Sequence, residues 1–201
     1  MEKYVITIAR QFGSMGRPIA KKIAESLGIP YYDRDIVEAT AKRLNLPVSY
    51  ISNEEESAKT PFFKMKFPLG KGTSDIQDKI FNVQRNIIYD IADKETCIVV
   101  GRCSDYILQD MKNHISIYIY APYEERMKNC IEKLGIDESK AEDMIAMVDQ
   151  ARELYHKRFA SYLPCDTDYK KLLIDSSVLG VEGTAELIVK MIADKYQTGL
   201  I

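Results

Sequence analysis

The stretch ITIARQFGSMGRPIAKKIAESLG, residues 6–28, decides how the rest of the chain is read. It begins inside YVITIAR (4–10), a short apolar, β-branched run that predicts a buried strand. Gly13, Ser14, Met15 and Gly16 then make a turn of mostly small residues. Ile19, Ile23, Ala24 and Leu27 recur at helical spacing, and Gly28 stands where a helix would be capped. A strand, a small-residue turn and a helix in that order suit an anion. Backbone N–H groups converge on it and the helix start carries partial positive charge. Arg17 and Pro18 stand where the usual phosphate loop has a lysine and a hydroxyl. Pro18 suits a first helical turn, where no N–H is needed. Arg17 keeps the charge but presents it as a planar fork. On this stretch alone, a plain strand–turn–helix junction is the competing reading.

Working outward, IPYYD (29–33) reads as a second strand, and Ile36, Val37, Thr40, Ala41 and Leu44 as an amphipathic helix. The character changes over 45–75, which mixes prolines, glycines, an acidic run and FFKMKF (62–67). A long segment of that kind reads as a surface insert, a lid or a binding loop. FFKMKF interleaves aromatics with lysines, but its brevity and the acids upstream favour an amphipathic lid over a nucleic-acid patch. Ile76, Ile80, Val83, Ile87, Ile88 and Ile91 resume helical spacing. CIVVG (97–101), ISIYIY (115–120) and KLLIDSS (171–177) supply three more strands. The helix from APYEERM has Pro122 at its start and Glu124 and Glu125 at its positive end. A long polar helix covers about 137–160, and Val181, Leu187, Ile188, Met191 and Ile192 give a last one.

Strands alternating with helices predict a three-layer α/β/α fold, a five-stranded parallel sheet with helices on both faces. Ligands of such sheets collect at the carboxyl ends of the strands. Those ends carry Arg10, Asp33, Gly101 and Arg102, and the segment after Tyr120.

The formal net charge of −2 gives no global field for nucleic acid or an acidic membrane, and neither is expected as a partner. No apolar run approaches membrane-spanning length. Cys97, Cys103, Cys130 and Cys165 form no CxxC pair, and His114 and His156 stand far apart, so no structural zinc site is expected. Scattered cysteines, and an N-terminus that runs straight into a strand, point to the cytoplasm.

Five stretches taken in order narrow the reading: residues 6–36, IVVGRCSDYIL, APYEERM, DQARELYHKRFASY and YKKLLIDSSVLGVEG. Together they resemble the cytidylate kinase-like family, a divergent branch of the P-loop nucleoside monophosphate kinases. The resemblance covers nearly the whole chain except about 45–75. Met15 stands where family members commonly have a third glycine, and YKKL (169–172) where they often have YDL.

The resemblance implies one domain over 1–201, with 45–95 as an acceptor-side insert and 137–165 as a helical lid. It implies phosphoryl transfer from ATP with Mg²⁺ to a nucleoside monophosphate, CMP or dCMP first. The rivals are a non-catalytic nucleotide-binding or regulatory protein of the same fold, and a small-molecule kinase with another acceptor. Gly13, Ser14, Met15, Gly16 and Arg17 would hold the donor phosphates, with Ser14 as a candidate metal ligand. Asp33, Gln84, Arg102 and Asp105 would contact the acceptor. Arg17, Arg102, Arg152 and Arg158 would neutralise the phosphates, the two lid arginines closing over both nucleotides. Arg10 has two readings, a further cation at the sheet edge or a partner for Asp33 across neighbouring strand ends. Helix capping is the competing reading of Asp33 and Asp105. Oligomeric state is left open.

Overall fold

The computed structural model describes residues 3–45, 48 and 74–196. FFKMKF and most of the 45–75 insert lie outside them. The strands are β1 (Val5–Arg10), β2 (Tyr31–Tyr32), β3 (Cys97–Val100), β4 (His114–Tyr120) and β5 (Leu172–Asp175). They form one sheet in the order β2-β3-β1-β4-β5, with every pairing parallel. The helices are α1 (Gly16–Leu27), α2 (Arg34–Leu44), α3 (Ser74–Lys94), α4 (Ser104–Ile107), α5 (Tyr123–Glu132), α6 (Glu138–Ala160) and α7 (Gly180–Tyr196). The sequence reading of fold class and strand positions therefore holds.

Alternation along the strands divides the core in two. Ile6, Ile8, Ile98, Val100, Ile117 and Ile119 pack with Ile19 and Ile23 of α1 and Ile188 and Ile192 of α7. On the other face Val5, Cys97 and Val99 meet Ile87, Ile88 and Ala92 of α3 and Tyr155 of α6. A third cluster joins Phe12, in the turn after β1, to Cys130 of α5 and Ile145 and Val148 of α6. The α5–α6 pair is thereby anchored on the turn. No helix among the described residues is long and apolar enough to cross a membrane.

The strand order corrects one expectation. β3 lies between β1 and β2, so Arg10 and Asp33 do not stand at neighbouring strand ends.

Candidate active site at the carboxyl edge of the sheet

The turn after β1 is held by its carbonyls. Gln11 O accepts from Ser14 Oγ at 2.9 Å, Phe12 O from Arg126 Nη1 at 3.3 Å, Gly13 O from Asn129 Nδ2 at 2.9 Å and Ser14 O from Ser176 Oγ at 2.7 Å. Met15 O accepts from Ile19 N at 3.1 Å. Among the described residues the N–H groups of Met15 and Gly16 donate no hydrogen bond. The turn thus spends its acceptors inward and keeps donors at a helix start, the polarity that an anion needs.

Gly13 is required by close packing as well as by its φ of 76°. A Cβ there would lie 2.8 Å from Arg126 O and 3.1 Å from Cys130 Sγ. Met15 adopts the left-handed region too, at φ 59°, as the residue before α1. Ser14 is fully buried, and its hydroxyl also reaches Ile119 O at 3.2 Å, so its side chain shapes the turn from within.

Three arginines surround one carboxylate. Asp33, at the end of β2, accepts from Arg17 Nε at 2.6 Å and from Tyr31 Oη at 3.1 Å. Its side chain makes no capping bond to α2, so capping does not explain it. Burial alone would push its carboxyl up. The charges of Arg10, Arg17 and Arg102 and the Arg17 hydrogen bond outweigh burial and hold it below the ordinary carboxylate range. Arg102 follows β3 on a turn in which Gly101, Arg102 and Cys103 have φ of 74°, 58° and 52°. Left-handed conformations at two non-glycine residues are strain held by the surrounding packing. The Arg102 Nε is buried with no hydrogen-bond partner among the described residues.

Two clefts meet here. The outer one, about 160 Å³, runs from Arg10, Gly16 and Arg17 to an apolar wall of Phe12, Leu134, Ile136 and Met144. The inner one, about 50 Å³, is lined by Gly101, Arg102, Asp105, Tyr155 and His156 among others. Arg10 and Arg152 line both.

The remaining sequence candidates separate. Arg152, on α6, donates from Nη1 to Arg10 O at 3.1 Å and lies over the Phe12 ring, which places it at the site. Arg158, on the same helix, bonds Gln77 Oε1 at 2.9 Å and Asp78 Oδ1 at 2.8 Å on α3, away from the clefts. The structure therefore does not bring these two arginines together. Gln84 is buried and accepts from Tyr155 Oη at 3.0 Å, so it ties α3 to α6. Asp105 lines the inner cleft, but its oxygens already accept from three neighbours. These are His156 Nε2 at 2.9 Å, Tyr162 Oη at 3.3 Å and the fully buried Lys170 Nζ. Burial would raise the Asp105 carboxyl, and the His156 and Lys170 contacts drive it well below the ordinary range instead.

Arg126, Asn129 and Asp149 escaped the sequence reading. Asp149 accepts from Phe12 N at 2.7 Å and pairs with Arg126. Residues more than a hundred positions apart thus brace the turn.

The cytidylate kinase-like family model matches residues 5–178.

The chain belongs to the cytidylate kinase-like family.

Membership of the cytidylate kinase-like family supports a phosphotransferase that uses a nucleotide. Comparison with curated proteins gave no match. Among solved structures, an uncharacterized protein from Eubacterium ventriosum is 26% identical with a TM-score of 0.71, covering 94% of this chain and 98% of its own. Shikimate kinase from Bacteroides thetaiotaomicron is 12% identical with a TM-score of 0.54, covering 96% and 98%. A sugar kinase from Janibacter is 12% identical with a TM-score of 0.52, covering 96% and 94%. The last two likenesses are of fold alone.

Proposed function

We propose that this member of the cytidylate kinase-like family transfers the terminal phosphoryl group of ATP to a nucleoside monophosphate, with CMP or dCMP as the first acceptors to try. The observation that carries the reading is the meeting of two clefts at a turn rich in free N–H groups and at a ring of arginines. Phosphoryl transfer asks for positioning and charge neutralisation more than for a covalent catalyst.

The donor phosphates would lie on the N–H groups of the 13–17 turn, with Arg17 flanking them and the nucleoside against the apolar wall of the outer cleft. The acceptor phosphate would enter the inner cleft and would meet Arg102 there. The rest of the acceptor would extend toward α3 and the insert after α2. The α5–α6 pair would act as the lid, with Arg152 at the junction of the clefts.

Mg²⁺ would arrive on the nucleotide. Among the described residues no cluster of three or more His, Cys, Asp or Glu is placed to hold a cation. A magnesium ion bound mostly by phosphates and water needs only one or two carboxylates, and Asp33 stands beside the phosphate cations. Ser14, buried and bonded to backbone, suits shaping the turn better than metal binding.

The test is ADP formation from ATP–Mg²⁺ with a panel of nucleoside monophosphates and of non-nucleotide alcohols and acids. Turnover with a monophosphate supports the reading. Turnover with a non-nucleotide alone replaces the acceptor. Nucleotide binding without ADP formation for any acceptor overturns the enzyme.

A further inference from the structure

Arg10 ends β1 in a slot made by two missing side chains. A Cβ at Gly16 would lie 2.7 Å from Arg10 Cβ, and one at Gly101 would lie 2.6 Å from Arg10 Nη1. Its stem therefore rests on the start of α1, and its guanidinium on the turn after β3. The turn after β1 and the turn after β3 both make room for this one side chain. Its carbonyl is meanwhile held by Arg152 from α6. Arg10 and Arg152 are the residues that line both clefts. Arg17, the cation next to the phosphate turn in sequence, is placed differently. Its side chain is 41% exposed, while Arg10 and Arg17 both act on the Asp33 carboxylate, to which Arg17 donates from Nε.

We propose that Arg10, rather than Arg17, supplies the principal cation for the phosphoryl group that passes between donor and acceptor, doing from the end of β1 what a lysine in the first turn of α1 does in the usual phosphate loop. The proposal rests on the phosphotransfer reading above and names the cation within it.

Three physical points favour Arg10. A group shared by both clefts is where the transferred phosphoryl must pass. A planar fork on a strand end, packed between two glycine backbones, is preorganised and loses little freedom on binding. And Arg10 contacts the site from the rigid sheet, whereas Arg17 reaches it from the exposed side of α1. The glycines have a role in this account that backbone conformation alone does not give them. Gly16 is helical and has no positive φ, so only the Arg10 stem requires its missing Cβ.

The experiment compares wild type, Arg10→Met, Arg10→Lys, Arg17→Met and Gly101→Ala, each checked for folding by circular dichroism. Two readouts are used: calorimetric binding of inorganic tripolyphosphate, and transfer from ATP–Mg²⁺ to CMP. Loss of a charge-assisted contact to phosphate predicts tripolyphosphate binding at least roughly tenfold weaker for Arg10→Met, with a smaller loss for Arg17→Met. Arg10→Lys should recover part of the binding. Gly101→Ala, which crowds the Arg10 head, should lower kcat more than it raises the KM for ATP.

Wild-type binding by Arg10→Met, or a larger loss in Arg17→Met, overturns the proposal. If Arg10→Met does not fold, full binding by Arg10→Lys beside a loss in Arg17→Met overturns it equally. The two readings fail separately. Without transfer by wild type, the tripolyphosphate order of the two arginines still decides the cation, while the phosphotransfer reading falls. With transfer and a dominant Arg17, only the present proposal falls.

Discussion

Arg17 Nε donates to Asp33 Oδ2 across 2.6 Å, so the cation after the turn that follows β1 is held by the carboxylate after β2. The pair spans β3, joining the start of α1 to the end of β2. Asp33 is almost fully buried, and Arg10 and Arg102 act on the same carboxylate. Three arginines thus share the surroundings of one buried carboxylate.

Removing that charge should expose the strain among the cations. Asp33→Ala is expected to lose on the order of 1–3 kcal/mol of stability, the scale of a charge-assisted hydrogen bond broken on one side. Inorganic phosphate should restore the variant more than it raises wild type, because the anion replaces the missing carboxylate. Thermal unfolding with and without phosphate measures both. An equal phosphate response in the two proteins would show that Asp33 does not stand in for a bound anion.

Asp105 gives the opposite test, since its partners are internal. Asp105→Asn leaves the Lys170 ammonium, fully buried, without its carboxylate. Breaking one side of a buried pair costs about 3–5 kcal/mol. Urea unfolding should show that loss, with KM for the acceptor unchanged per folded molecule. A raised KM with normal stability would return Asp105 to the acceptor site.

These two aspartates mark where the sequence stopped being legible. β1, the turn and α1 could be read because strand, small residues and helical spacing are local signals. The parallel sheet followed from alternation, and with it the edge that collects Arg10, Asp33 and Arg102. What each charge faces is not local. Asp33 precedes a helix and Asp105 opens one, so capping is a competing reading of both, and the Arg17 and Lys170 contacts are what the sequence does not show. Arg152 and Arg158 lie six residues apart on α6, yet one meets β1 and the other α3. Nothing in the spacing says which element packs on each side. The slot for Arg10 joins residues 10, 16 and 101, and depends on β1 and β3 being neighbours.

His114 predicts a pH effect away from the site. Burial, as the largest cause, lowers its pKa from 6.5 to about 4, with Asp105 opposing and Lys170 and Lys171 assisting. Between those values the unfolded chain takes up a proton that the folded chain refuses. Stability from this group is therefore complete above about 6.5, falls as pH drops toward 4 and levels off below that. The shift corresponds to roughly 3 kcal/mol. Unfolding free energy measured across that range should decline for wild type. His114→Gln should flatten the decline; an unchanged slope would assign it to other groups.

Met15 tests whether the turn after β1 tolerates the residue it carries. Its φ of 59° and ψ of 20° lie in the left-handed region, where a side chain costs about 1–2 kcal/mol and glycine almost nothing. Its side chain is also partly buried against the core formed by β1, α1 and α7, and that contact offsets some of the strain. Met15→Gly exchanges one contribution for the other, so its stability should stay within about 1 kcal/mol of wild type. Met15→Val keeps an apolar group but adds β-branching where the backbone is left-handed, and should lose roughly 2 kcal/mol. The two variants separate conformation from packing, because a site governed by packing would order them the other way. Denaturant midpoints decide between the two orders. Tripolyphosphate binding should follow the same order, since the N–H groups of Met15 and Gly16 can meet an anion only while the turn keeps its left-handed residue.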